Sequence, residues 1–327
     1  MNLDPGSNER NELVKQFEEL DEKLYEMQDK HINEFPDGLF TAILKAQREV
    51  PVPEAELLSD GTTDRASMYR RYINDYWNNI DFADDRLVRT PVFHQKLNHF
   101  FNSVVIQIPD SIITAADRII EKSRAHDEMF KYTVWFVMNL SERSNIMGID
   151  KLFVHMAENY YLSGETHWVG EEQIERIRER AKTLKPLLLG AVAPNVEVFT
   201  PDKQAKSLHS VDAKYTVLYF WDSECAHCKV MTPKLRDVYQ RLKPVGLEVF
   251  ALNVEADRER WLKYVEKNNL NWINVHDPVN TSGFRDLYDI FSIPIVYVLD
   301  EDKRILAKKI TAEQVEDLIN HLERQQQ

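Results

Sequence analysis

From Asn8 to Glu34 the apolar residues Leu13, Phe17, Leu20, Leu24 and Met27 recur in steps of four and three, which puts them on one face of a long helix. A stripe of this kind is expected to pack against a second element. Pro36, Asp37 and Gly38 stop the helix, a shorter one can run to Glu49, and Pro51 and Pro53 break the chain again. Tyr69, Tyr72, Ile73, Tyr76, Trp77 and Ile80 then form an unusually aromatic helical stripe, read as core because aromatic side chains dominate buried area in helical packing. Past Thr90 and Pro91 the spacing returns at Phe93, Leu97, Phe100 and Phe101. Further helices are predicted over 111–125, 127–143, 149–162 and 170–184. No strand-like alternation interrupts them, so residues 1–187 read as an all-α domain without a solenoid repeat.

Pro186, Gly190, Ala193 and Pro194 mark a change, after which β-branched residues take over. Segments 196–200 and 206–211 can pair as a hairpin across Pro201 and Asp202, and 216–221 reads as a buried central strand. Cys228, Met231, Leu235, Val238 and Leu242 share a helical face, with Pro233 expected to kink that helix. Strands at 247–254, 272–276, 295–299 and 304–310 alternate with a helix at 258–268 and a loop with a short helix at 281–291. The last helix opens with Thr311 and Gln314 in capping-box spacing and buries Val315, Leu318, Ile319 and Leu322. The expected architecture is α + α/β: an all-α domain over 1–187, then a thioredoxin-like domain over 188–327, a central mixed sheet flanked by helices with an extra N-terminal β-hairpin.

Composition narrows the chemistry. With 54 acidic against 41 basic residues the formal charge is -13, which argues against a nucleic-acid surface. No run of eighteen or more apolar residues exists, so no transmembrane segment is expected. Residues 1–10 are polar and lack a signal core, which leaves two expectations: a cytoplasmic protein, or a mature form whose export signal was removed.

Both cysteines of the chain, Cys225 and Cys228, lie three positions apart between the central strand and the following helix. Strand to Cys-x-x-Cys to helix start is a redox geometry, because the helix N-terminus favours negative charge on the exposed sulfur. Cys225 is the candidate nucleophile, Cys228 the resolving thiol, and His227 a polar donor tuning the thiolate. A structural disulfide or half a zinc site is the alternative; no second Cys pair or Cys/His cluster completes a metal site, so no metal is expected. His94, His99, His126 and His155 are scattered over different helices and read as ordinary helix residues. Pro294 is expected to be cis and opposite the cysteines, leaving the Ile293 backbone to pair with an extended substrate chain. Trp221 and Glu224 complete the expected partner-binding set. The only cofactor expected is the redox-active Cys225–Cys228 disulfide.

Phe220, Trp221, Asp222, Cys225, His227, Cys228, Lys229 and Pro233, preceded by Gly190, Ala193 and Pro194 and followed by Ile293 and Pro294, resemble the TlpA/ResA-like branch of the thioredoxin superfamily. The resemblance covers residues 188–327. The first half, with its Leu87-Val-Arg-Thr-Pro91 run, its 129–135 segment and its 144–147 segment, is similar to an uncharacterised helical domain found ahead of such modules in exported proteins of Gram-negative bacteria. What this implies is thiol–disulfide exchange in a periplasmic or membrane-anchored lipoprotein. It also implies protein thiols and disulfides as substrates and an upstream redox partner. Two positions depart from the pattern. Tyr219 stands where thioredoxin has a buried aspartate, and Met231 where ResA-like proteins have a glutamate. Two readings result: an oxidoreductase of undetermined direction, reductase or oxidase, whose helical domain governs partner recognition or access, and a non-catalytic interaction protein on the same scaffold.

Overall fold

The computed structural model describes residues 8–325. Six helices open the chain: α1 (Asn8–Glu34), α2 (Leu39–Gln47), α3 (Arg65–Asp75), α4 (Pro91–His99), α5 (Pro109–Ser123) and α6 (Asp127–Arg143). Prolines set two of the starts. Pro91 and Pro109 occupy the first helical position, where a missing N–H costs nothing, so α5 begins before the expected Ser111. Two further helices follow, α7 (Asp150–Met156) and α8 (Glu171–Leu184). Short π-helical turns extend α4 over Phe100–Val104 and α7 over Ala157–Tyr161.

The chain divides into two compact units, Met1–Val137 and Met138–Gln327. In the first, the aromatic stripe becomes core as expected. Tyr76, Trp77 and Ile80 are buried even though α3 ends at Asp75, and the Trp77 ring meets Phe100 at 5.0 Å and Phe82 at 5.9 Å. The α1 stripe behaves otherwise. Phe17 is 64% exposed and Met27 72% exposed, with Leu13, Leu20 and Leu24 also on the surface. The contacts of α1 run along another side, where Arg48 takes Gln28 at 3.0 Å and Asp29 at 2.7 Å. Spacing therefore identified the apolar face but not a cover for it.

The second unit contains the sheet, and α7 and α8 belong to it. Arg180 of α8 pairs with Asp289 and Asp150 of α7 with the buried Lys308, so ion pairs tie both helices to the sheet-bearing unit. The expected boundary at 187/188 follows the change from helix to strand; compactness divides the chain within α6 instead.

Seven strands, β1 (Glu197–Phe199), β2 (Ala205–Ser207), β3 (Tyr215–Trp221), β4 (Leu247–Asn253), β5 (Ile273–His276), β6 (Ile295–Leu299) and β7 (Ile305–Lys308), form one sheet in the order β2-β1-β5-β4-β3-β6-β7. Its helices are α9 (Ala226–Leu242), α10 (Arg258–Lys267), α11 (Phe284–Leu287) and α12 (Ala312–Gln325). β3, β4 and β5 run parallel, while β6 and β7 add antiparallel. This is the expected thioredoxin-like fold with its N-terminal hairpin, β1 against β2.

Every residue of β3 is buried, as a central strand covered on both faces requires. Tyr215, Val217, Tyr219 and Trp221 pack on one face with Leu235 and Val238 of α9 and Val315 and Ile319 of α12. Leu218 and Phe220 point to the other face, against Phe284, Tyr288 and Val198. The capping box forms with both bonds in place: Thr311 N–H donates to Gln314 Oε1 at 2.9 Å and Gln314 N–H to Thr311 Oγ1 at 3.3 Å.

Candidate active site

The register places the site. Phe220 pairs with Ile295 in the antiparallel β3–β6 ladder, so chain running past Trp221 meets chain running back from Ile295, the Ile293–Pro294 peptide. That peptide is cis. Residues 222–224 form the turn between β3 and α9, with the Glu224 N–H donating to Asp222 Oδ1 at 2.7 Å.

Cys225 is the N-cap of α9, and its sulfur accepts the Cys228 N–H at 3.4 Å. The sulfur thus lies at the positive end of the helix dipole. Half-buried, its thiol also reaches Ile293 O at 3.6 Å. Cys228 is sealed, with no exposed surface. Burial first, then the hydrogen bond and charge of Cys225, push its thiol up to about 12, against the opposing effect of the Asp222 backbone N–H. Both cysteines are free thiols here. Position separates the two: the Cys225 sulfur is partly exposed, and the Cys228 sulfur is enclosed behind it.

The other expected residues fall differently. His227 is exposed on the first turn of α9. Glu224 is an exposed loop charge, 3.5 Å from Lys229 and 3.8 Å from Arg260, so cations at the surface hold it. Ile293 and Pro294 are half-buried beside Cys225. Trp221 corrects an expectation. Expected at the partner-binding face, it has no exposed surface, because strand alternation sends it inward with Tyr219, and its ring meets Tyr264 at 5.4 Å. It supports the turn from below. His94 and His99 bond to Tyr132 at 2.8 Å and Tyr76 at 2.9 Å, as ordinary helix residues do.

Some residues at the site escaped sequence reasoning. Glu255, just past the end of β4, is buried, accepts the Ser223 hydroxyl and lies 3.3 Å from Arg260, so it anchors the turn. Its only signal was an acid directly following an apolar strand. Phe291, two residues before Ile293, is 86% exposed, and Val230, two residues after Cys228, is 60% exposed. Both give apolar surface next to the motif. A cavity of about 670 Å³ in the same unit, lined by Asp150, Arg180, Tyr297 and Lys308 among others, does not include the cysteines.

Parts of this chain are similar to known proteins. Residues 212–305 match a thioredoxin-like family and residues 18–185 a domain of unknown function, DUF5106. The thiol-disulfide oxidoreductase ResA of Oceanobacillus iheyensis is 25% identical over 128 residues, 38% of this chain and 66% of that protein, just under two thirds of its length. A solved domain of a possible thiol-disulfide isomerase from Cytophaga hutchinsonii is 41% identical, covering 43% of this chain and 96% of its own, with a TM-score of 0.40. A thioredoxin-like protein from Bacteroides caccae, 19% identical, covers 83% of this chain and 99% of its own with a TM-score of 0.64, a likeness of fold.

Fold and cysteine turn together define the class, a thioredoxin-like protein whose relatives include proteins named thiol-disulfide oxidoreductases. The chain belongs to the DUF5106 family, with a thioredoxin-like domain as its C-terminal part. No helix among the described residues is long and apolar enough to cross a membrane.

Proposed function

We propose that the protein exchanges electrons with disulfides of partner proteins through Cys225 and Cys228. The observation that carries this reading is the asymmetry of the two sulfurs: Cys225 reachable at a helix N-terminus beside Ile293, Cys228 enclosed behind it. In the reducing direction the Cys225 thiolate attacks a partner disulfide, forming a mixed disulfide and releasing one partner thiolate. Cys228 then gives up its proton and attacks Cys225 Sγ. The intramolecular disulfide forms, the mixed disulfide breaks, and the second partner thiolate leaves. The redox-active disulfide is the only cofactor this chemistry uses, and an upstream dithiol or disulfide partner resets the pair.

Ile293, Phe291 and Val230 supply the partner-facing apolar surface, and His227, exposed on the first turn of α9, a polar group within the motif. The helical domain governs recognition or access, a role consistent with the exposed apolar face of α1. The setting that the family resemblance supports is periplasmic or lipid-anchored; the cytoplasm is the alternative, since a catalytic disulfide that cycles is compatible with either compartment. Thiol counting before and after dithiothreitol, with insulin as substrate, tests the reading. A reversible thiol pair and a partner trapped by Cys228→Ser are expected; a redox-silent pair overturns it.

The absence of a carboxylate at Tyr219 and Met231 favours a second reading, a binding protein on a redox scaffold. Pulldown that survives Cys225→Ala with unchanged affinity and no exchange activity in the wild type would establish it instead.

A further inference from the structure

Resolution of the mixed disulfide needs Cys228 to lose a proton from a position with no exposed surface. The groups that bear on it are Cys225, Asp222, Tyr219 and Tyr264. Two belong to a chain of hydroxyls. Thr232 follows Cys228 by four residues on α9, so it sits one helical turn on along the same buried face, and neither has exposed surface. Tyr219, also without exposed surface, comes from β3 opposite and bonds Thr232 through its hydroxyl at 3.0 Å. Burial and then the charge of Cys228 hold the Tyr219 phenol well above its ordinary range, while the Thr232 bond opposes them. Thr232 bears on Tyr264 in the same way, and Tyr264 is partly exposed.

We propose that Tyr219, held by Thr232, is the proton-handling residue of the resolving step: its hydroxyl supports the forming Cys228 thiolate, and Thr232 and Tyr264 carry the proton outward. This rests on the oxidoreductase reading. The thiol proton passes to Tyr219 Oη as the phenol yields its own proton to Thr232, Thr232 yields one to Tyr264, and Tyr264 to water. Each hydroxyl ends with the number of protons it began with. The electron pair left on Cys228 sulfur forms the bond to Cys225 Sγ, and the partner thiolate leaves with the other pair. A threonine one turn from the buried thiol and a tyrosine that bonds it from the adjoining strand put two hydroxyls on the buried side of α9 behind Cys228, where aliphatic side chains would put none.

An aromatic chromogenic disulfide separates the two steps, because attack by Cys225 releases one coloured thiolate and attack by Cys228 a second. In Tyr219→Phe the first release is expected within about twofold of wild type and the second slowed at least about tenfold. Thr232→Val is expected to slow the second release alone, and Thr232→Ser, which keeps the hydroxyl, to restore it. A second release unchanged in both Tyr219→Phe and Thr232→Val, or slowed only in Asp222→Asn, overturns the relay and leaves the oxidoreductase reading standing. A wild-type protein that releases one equivalent and stops overturns the oxidoreductase reading itself.

Discussion

α1 and α9 carry the same kind of message and meet opposite ends. Each has apolar residues at helical spacing along one face; on α9 Leu235, Val238 and Leu242 are buried, while on α1 Phe17, Leu20, Leu24 and Met27 face outward. The difference lies in the neighbours, not the helices. α9 lies between β3, β4 and α12, whereas α1 holds Arg48, the residue just past α2, through Gln28 and Asp29 on another side. Amphipathicity shows which face can be buried, and only a second surface makes burial happen.

Five substitutions or titrations break or sharpen this contrast, the largest first. Cys225→Ser removes the group α9 exists to present, and exchange in the insulin assay should fall to background, a loss of at least about 1000-fold. Leu235→Ala opens a cavity under the same helix and should cost about 2–5 kcal/mol in denaturant unfolding. The third is a pH effect. Folded Cys228 keeps its proton to about 12, while an unfolded thiol loses it near 8.5. Between these values the unfolded state binds fewer protons, so stability falls as pH rises, and it is fully present below the lower value. Reduced wild type should therefore lose stability relative to Cys228→Ser as pH rises through 9 and 10; parallel curves would contradict the sealed position of Cys228.

Thr311→Ala deletes one bond of the capping box on α12, the neighbour that covers α9, and should cost about 1 kcal/mol by thermal unfolding. Smallest of all, Leu20→Ala on α1 should change unfolding free energy by less than about 0.5 kcal/mol, because it removes no buried contact. A loss as large as that of Leu235→Ala would mean that the α1 face is covered in solution.

Much of the site was legible from local pattern. Strand, Cys-x-x-Cys and helix are contiguous, so periodicity placed Cys225 at the helix start and Cys228 on the buried face, and the structure has them there. Thr311 and Gln314 were equally readable, because a capping box is satisfied within four residues. Trp221 was misjudged since proximity to the motif in sequence says nothing about which face of β3 its ring takes. Glu255 was invisible as a site residue for a related reason, and Tyr219 was legible only as the place of a missing carboxylate, not as a partner of Thr232. Glu255 reaches Ser223 across 32 positions, and Tyr219 reaches Thr232 across 13.

The sequence by itself determined the helices, the order of strands and the pairing of two thiols with a helix N-terminus, because propensity, period and capping act over a few residues. Tertiary structure alone decided which apolar faces found cover, which helices joined the sheet-bearing unit, and which hydroxyls and carboxylates gathered behind the cysteine turn. Those outcomes depend on strand register and on contacts between residues far apart in the chain, and no local pattern encodes either.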